Sequence, residues 1–315
     1  WPYGKAWKEA GYRKNSDVTF GVGTNLNISD ELRRKQNELI QNHVLPKLKK
    51  RNIIASSYLP GGPPEIDYMR FSTFDINDGR QSFGIQGNFS LIQEGMNGED
   101  LYLDNIFYRA RAQKYGLLYT LNLIRDNVDD LRHLIKKNMT YMMKNLTEGV
   151  VSIQMRHISD GKPIYFPGYS YNIFQDTMIE TSNFKSTIES IHIVKSPYGY
   201  LIPKSDEKLT AWIKNFNIDY TEYRNDKQYS IKENTVIMID SIDFEGDQII
   251  NPILKIQELN SVNHSKYWFV PTVQQKGLAI IQALEPKSMM GLATYDRFKY
   301  MIQVGKSFPI LHVEL

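Results

Sequence analysis

Apolar residues in the first half of the chain recur mainly at helical spacing. The pattern predicts a helix over residues 29–49, with Ser29 as its N-cap and acidic residues in its first turn. Pro46 predicts a kink or a shortened end, because proline lacks the N–H that a helix interior needs. A second helical pattern covers residues 103–144, with a break near residues 126–127 or 137–138.

A short apolar run over residues 89–93 predicts a buried strand that ends at Glu94, with Gly95 directly after it. Catalytic groups of α/β folds often follow strand ends, so this carboxylate is a candidate catalytic residue. Residues 1–28 are polar and contain several glycines, which predicts a loop. The first half is therefore predicted to be α/β in character.

The second half changes to β-branched and apolar runs bounded by Gly, Pro and Asn, which are typical of strands. Helices are predicted at residues 206–215, capped by Ser205, and at residues 274–284, which end before Pro286. The predicted strands are residues 150–155, 162–166, 186–194, 198–202, 235–244, 253–259, 267–272 and 308–313. This change predicts a boundary after residue 147, with an α/β domain over 1–147 and a β-rich α+β accessory domain over 148–315.

Composition excludes several classes of protein. The 315 residues carry a net charge of +3, which is too balanced to indicate a nucleic-acid-binding surface. The absence of cysteine excludes disulfides, thiolate zinc sites and cysteine nucleophiles. No apolar run approaches the length of about 18 residues that a membrane-spanning helix needs. The opening at Trp1, without a signal-like segment, is expected of a fragment from within a longer protein.

Other residues have a functional and a structural interpretation. Arg80 follows a turn and can bind a substrate carboxylate, although the pattern favours a surface arginine. The six histidines lie far apart in the sequence, so no metal site is predicted. Tyr267, Trp268 and Phe269 can form a platform for a sugar ring, but alternation along a strand places some of them in the core.

Two stretches of the sequence resemble zinc carboxypeptidases of the carboxypeptidase A superfamily. The first is Phe-Gly-Ile-Gln-Gly-Asn-Phe-Ser-Leu-Ile-Gln-Glu-Gly at residues 83–95, which is similar to the block that ends in the catalytic glutamate. The second is similar to the C-terminal extension of large bacterial members. Its motifs are Tyr-Leu-Ile-Pro at 200–203, Phe-Glu-Gly at 244–246, Val-Pro-Thr-Val-Gln at 270–274 and Leu-Glu-Pro-Lys-Ser at 284–288.

The resemblance implies that residues 1–147 are the C-terminal half of an α/β/α catalytic domain and that Glu94 is the general base. It also implies a peptide substrate, a periplasmic or secreted location and zinc in the full-length parent. The family's zinc ligands precede the catalytic glutamate, but His43 is the only histidine upstream of Glu94 and it lies in the predicted helix. This chain alone is therefore expected to bind no zinc and to be inactive.

Two further expectations depend on the resemblance. Tyr68 lies about where the family has a mobile tyrosine that covers the substrate; chance placement among 20 tyrosines is the alternative. A truncated sheet would expose an edge, which a homo-oligomer can cover. The rival functional hypothesis is a non-catalytic module that binds peptide or glycan and has kept the fold without the chemistry.

Overall fold

The computed structural model describes residues 4–95, 105–224 and 229–314, and the chain divides into two compact units. Unit 1 comprises Trp1–Asn138 and His157–Glu189, and unit 2 comprises Met139–Arg156 and Ser190–Leu315. These units do not coincide with the segments 1–147 and 148–315, since residues 157–189 group with the first unit. The division into domains predicted from the sequence stays a prediction.

Helix and strand each account for 33% of the residues, which confirms the predicted mixed α/β class. The α-helices are α1 (Lys5–Glu9), α2 (Asp30–Leu39), α3 (Leu45–Lys49), α4 (Gly79–Gly84), α5 (Ile106–Asp126), α6 (Val128–Glu148), α7 (Glu207–Asn215) and α8 (Gly277–Leu284). Short 3₁₀ turns lie at His264–Lys266, Leu292–Thr294 and Lys299–Met301. None of the helices in the described parts of the chain combines the length and apolar character that crossing a membrane requires.

The strands of unit 1 lie mostly in short sheets. In chain order the strands of the described residues are β1 (Tyr12–Lys14), β2 (Val18–Val22), β3 (Ala55–Ser57), β4 (Met69–Arg70), β5 (Leu91–Gly95), β6 (Val150–Ile158), β7 (Ile164–Ser170), β8 (Gln175–Thr181), β9 (Phe184–Lys185), β10 (Thr187–Lys195), β11 (Gly199–Pro203), β12 (Thr221–Glu222), β13 (Ser230–Phe244), β14 (Asp247–Leu259), β15 (Tyr267–Pro271) and β16 (Leu311–Glu314). In unit 1 the sheets have the orders β3-β2-β5, β1-β7-β8 and β4-β9. Strands β6 and β10 form a two-stranded sheet.

Strand β2 is the middle strand of the sheet β3-β2-β5, parallel to β3 and antiparallel to β5. Its alternate residues Val18, Phe20 and Val22 are buried and share a core with side chains of the surrounding helices. The helix residues of this core are Leu39, Ile40, Val44, Leu48, Ala112, Leu123 and Leu131. One face of the sheet is therefore covered by helices.

The predicted helix over residues 29–49 forms as α2, a π-helical turn and α3. Ser29 is the N-cap as predicted, because its hydroxyl accepts a hydrogen bond from the Leu32 amide at 3.3 Å. The π turn Ile40–Val44 directly precedes Leu45 and Pro46. A proline ring collides with the carbonyl four residues before it in a regular helix, and the wider π turn falls over this stretch. Pro46 thus widens the helix and does not end it.

The break in the second helical region falls at Asn127, which confirms the first of the two predicted positions. The predicted start at residue 103 lies outside the described residues.

Helix α5 leaves apolar side chains in solvent: Phe107 is 90% exposed, Leu117 56% and Leu121 54%. Ala112 and Leu123 lie on another side of the same helix and are buried.

Unit 2 is built on an antiparallel sheet with the strand order β12-β15-β11-β16-β13-β14. Leu201, Ile231, Leu311 and Val313 form its core with neighbouring aromatic side chains. Each of the eight runs predicted as strands in the second half contains or overlaps a strand of the structure, with ends that differ by several residues. Apolar and β-branched runs bounded by Gly, Pro and Asn were sufficient to locate them.

Three local predictions were wrong. Residues 1–28 are not a loop, because they contain α1, β1 and the central strand β2. The strand predicted over 89–93 lies at Leu91–Gly95 and is a partly exposed edge strand, so that Glu94 lies within it. Helix α7 is capped by Asp206, whose carboxylate accepts a hydrogen bond from the Leu209 amide at 3.0 Å, and not by Ser205.

His157 is a buried histidine of unit 1, 6% exposed, whose ring packs against Phe74 with a centroid distance of 5.1 Å. Burial, and to a smaller extent the positive charge of Arg70, lowers the pKa of His157 to about 4. In the unfolded chain the pKa returns to about 6.5. Between about pH 4 and pH 6.5, His157 is therefore protonated in the unfolded chain and neutral in the folded protein.

We predict that unit 1 loses stability as the pH falls from about 6.5 to about 4, by on the order of 3 kcal/mol from His157 alone. Hydrogen-exchange protection of unit 1 amides measures this loss. His157→Gln should flatten the pH dependence, whereas His133→Gln, at an exposed position, should leave it unchanged. An equally steep loss in His157→Gln would contradict this assignment.

Candidate functional site

The face of the sheet β3-β2-β5 opposite the helices carries a row of polar side chains. Thr19 of β2 is paired with Ser56 on one side and with Glu94 on the other. Directly paired residues of neighbouring strands point to the same face, and successive residues of a strand alternate. Ser56, Thr19 and Glu94 therefore share the face that Val18 and Phe20 do not occupy.

Gln93 fixes which way β5 faces. It is paired with Phe20, on the helix-covered side, and its amide nitrogen donates to the backbone carbonyl of Gln113 in α5 at 2.9 Å. Gly116 of α5 gives this contact room, because a Cβ there would lie 2.6 Å from Gln93 Oε1. With Gln93 held against the helix, alternation directs Glu94 to the opposite face.

Glu94 lines a cavity of about 680 Å³ within unit 1. The row Ser56–Thr19–Glu94 forms one wall, and the strand β1 and the segment 57–61 form others. The full lining is Lys14, Ser16, Thr19, Ser56, Ser57, Tyr58, Leu59, Pro60, Gly61, Arg70, Glu94, Gly95, Phe166 and Pro167. The cavity is large enough for an amino-acid residue and its neighbours in a peptide.

Arg80 lies next to this wall and is buried, with 3% of its surface exposed, so the surface position expected from the sequence was wrong. Its Nη2 atom is 3.1 Å from Asp78 Oδ2, and its guanidinium lies 4.8 Å from the ring centroid of Tyr58. The guanidinium occupies the space over Gly21, where any side chain would overlap Arg80 Nη1. Whether Arg80 binds substrate stays a prediction.

The electrostatic surroundings of Glu94 favour its protonated form. Although Glu94 is an exposed residue, protein atoms displace part of the water around its carboxylate, and this raises its pKa above the usual range. The positive charge of Arg80 opposes the rise, and the negative charge of Asp78 adds to it. The pKa of Tyr58 is raised by burial and then by the charge of Glu94. Glu94, Arg80, Asp78 and Tyr58 thus interact electrostatically.

Two positively charged side chains of the cavity were not predicted from the sequence. Lys14 and Arg70 both line it, and Lys14 Nζ donates to the carbonyl of Gly61 at 2.9 Å and to that of Leu59. Burial, followed by the charge of Arg70, lowers the pKa of Lys14 to about 8. The two residues lie far apart in the sequence, on β1 and β4, and no local motif connects them.

The remaining sequence candidates lie elsewhere. Tyr68 is half-buried and is not among the described lining residues; Lys185 Nζ lies 3.4 Å from its ring centroid. His43 is exposed in the π turn Ile40–Val44. The structure therefore brings Glu94 close to Arg80 but does not place Tyr68 in the wall of the cavity.

The residues of this cavity do not fit a zinc ion. Its described lining has one carboxylate and no imidazole, whereas protein zinc sites use three or four such ligands. Across residues 4–95, 105–224 and 229–314, no group of three or more His, Asp or Glu side chains is arranged to hold a metal ion.

Comparisons of the chain with protein-family models, with curated proteins and with solved structures find no match.

We predict that Gly21→Ala destabilises unit 1 by about 1–3 kcal/mol, because the new methyl group would overlap Arg80 Nη1 and lie 2.9 Å from Ile92 Cγ2. Urea denaturation followed by hydrogen exchange in unit 1 measures the change. Gly79→Ala is the matched control, since a Cβ at Gly79 meets no atom within 4 Å. Equal stability of the two variants would show that the guanidinium is not packed on Gly21.

Proposed function

We propose that this chain is the C-terminal portion of a hydrolase similar to the zinc carboxypeptidases of the carboxypeptidase A superfamily, with Glu94 as its general base. The observation that carries the proposal is the position of Glu94 on the cavity face of β5, with a raised pKa and with Arg80 beside it. The proposal also takes residues 1–147 as part of an α/β/α catalytic domain and the following residues as a β-rich accessory domain.

Glu94 would act by moving one proton. As a carboxylate it accepts a proton from the water that attacks the carbonyl of the terminal peptide bond, and it then donates this proton to the leaving amine. A raised pKa makes the carboxylate a stronger base for the first step, and the leaving amine is basic enough to take the proton in the second step. The charge of Arg80 opposes the rise in pKa and so favours the carboxylate form, which is the form that accepts the proton.

Zinc belongs to the proposed full-length parent and would be bound by residues outside this chain, since the cavity residues do not provide a ligand set. The parent would be secreted or periplasmic, and its substrate would be a peptide with a free C-terminus. A homo-oligomer is also part of the proposal, because the exposed face of α5 around Phe107, Leu117 and Leu121 is an apolar surface of the kind that partners cover.

The rival function is a non-catalytic module that binds peptide or glycan in the same cavity. It is favoured by the single carboxylate and the absence of imidazole in the described lining, which are sufficient for polar recognition but not for a metal centre. The two functions differ in whether Glu94 is needed for turnover.

We predict that the protein encoded by the longest open reading frame containing this chain, purified with zinc, releases C-terminal amino acids from peptides. Glu94→Gln should lower kcat by about 10²–10⁴-fold without altering the fold, because it removes the proton acceptor. Glu38→Gln, at an exposed helix position that pairs with Lys35, is the matched control. The sequence upstream of Trp1 should contain His-x-x-Glu followed by a distant histidine.

Unchanged turnover in Glu94→Gln would disprove the role of this residue as the general base. Peptide binding by the wild-type protein without turnover would favour the rival module.

A further inference from the structure

Lys14 and Arg70 meet at one position in the wall of the cavity, beside Gly61. The ammonium of Lys14 donates to the Gly61 carbonyl at 2.9 Å, and Arg70 Nη1 lies 3.4 Å from the point that a Cβ of Gly61 would occupy. Both side chains line the cavity. Two positive charges that approach each other in this way repel, and a negative group between them and the cavity would relieve that repulsion.

The segment Leu59–Gly61 contacts both residues. Leu59 and Gly61 accept hydrogen bonds from the Lys14 ammonium, and the Pro60 carbonyl accepts one from the backbone amide of Arg70 at 3.0 Å. The ring of Trp7 supports Lys14 from another side, with its centroid 4.9 Å from Nζ. The Lys14 ammonium is therefore positioned before any ligand binds, which lowers the entropic cost of binding.

Lys14 has capacity for a further partner. An ammonium group has three N–H donors, and two of them bind the carbonyls of Leu59 and Gly61. No carboxylate of the described residues lies within ion-pair distance of Lys14, and Glu94 is the one carboxylate of the described lining. A ligand carboxylate matches this wall, because a guanidinium and an ammonium both bind it with charge-assisted hydrogen bonds.

Glu94 is not the partner of Lys14, although both line the cavity. Among described side chains, Arg80 and Asp78 are the charged groups that shift the pKa of Glu94, whereas Arg70 is the one that shifts the pKa of Lys14. A ligand carboxylate at the cation pair would therefore bind in addition to Glu94 and would not replace it.

We propose that Lys14 and Arg70 form a carboxylate-binding subsite that selects peptides whose C-terminal residue has an acidic side chain. The proposal depends on the proposed function only in taking the ligand to be a peptide. Binding at this subsite does not require Glu94 to be catalytic, so the two proposals can fail separately.

The test uses this chain and two N-acetylated dipeptides that differ only in their last residue, glutamate or glutamine, with isothermal titration calorimetry as the measurement. We expect the glutamate peptide to bind at least about tenfold tighter, because a charge-assisted hydrogen bond is lost with glutamine. Lys14→Met should abolish this preference, whereas Lys8→Met, at an exposed position of α1, should retain it. Glu94→Gln should also retain it.

Equal affinity for the two peptides would overturn the subsite, and so would a retained preference in a folded Lys14→Met variant. If Lys14→Met does not fold, NMR of the lysine ammonium groups in the wild-type chain tests the subsite. The glutamate peptide should then shift the Lys14 ¹⁵Nζ resonance and the glutamine peptide should not. Loss of the preference in Lys14→Met together with unchanged turnover in Glu94→Gln would support the subsite and reject the general base.

Discussion

The cavity depends on strand β2, whose alternate residues must satisfy two different environments. Val18, Phe20 and Val22 are buried against the helices, and this burial fixes the orientation of the strand. Thr19 and Gly21 must then face the other way, where β3 and β5 align their polar residues with them. A shift of one residue in this pairing would place Glu94 against the helices and Gln93 in the cavity.

Gly21 connects the core to the electrostatics of the site. The absence of a side chain at this position allows the Arg80 guanidinium to lie against the sheet, where Asp78 and Tyr58 hold it. From there Arg80 lowers the pKa that partial loss of hydration raises at Glu94. The protonation of Glu94 is therefore set by a balance between hydration and nearby charges, and that balance depends on how closely the strand and Arg80 pack.

Local features were predictable from the sequence, and long-range ones were not. The N-cap at Ser29 was correctly predicted and the break at Asn127 was one of the two predicted positions, because capping and helix breaking depend on neighbouring residues. Strand β2 was missed because Gly21 within it and Gly23 just after it are typical of loops, although the alternation of Val18, Phe20 and Val22 predicts a strand. The approach of Lys14 to Arg70 depends on the contacts that both residues make with segment 59–61, which no local pattern contains.

A general-base role for Glu94 requires a raised pKa, which partial loss of hydration and the nearby charge of Asp78 produce. The most direct test is a ¹³C NMR titration of the Glu94 side-chain carboxyl in the wild-type chain, assigned by comparison with Glu94→Gln. We predict a midpoint above the usual range of glutamate, in keeping with the raised pKa. A midpoint within or below that range would contradict this role, because the carboxylate would then be fully hydrated or its charge would be stabilised mainly by Arg80.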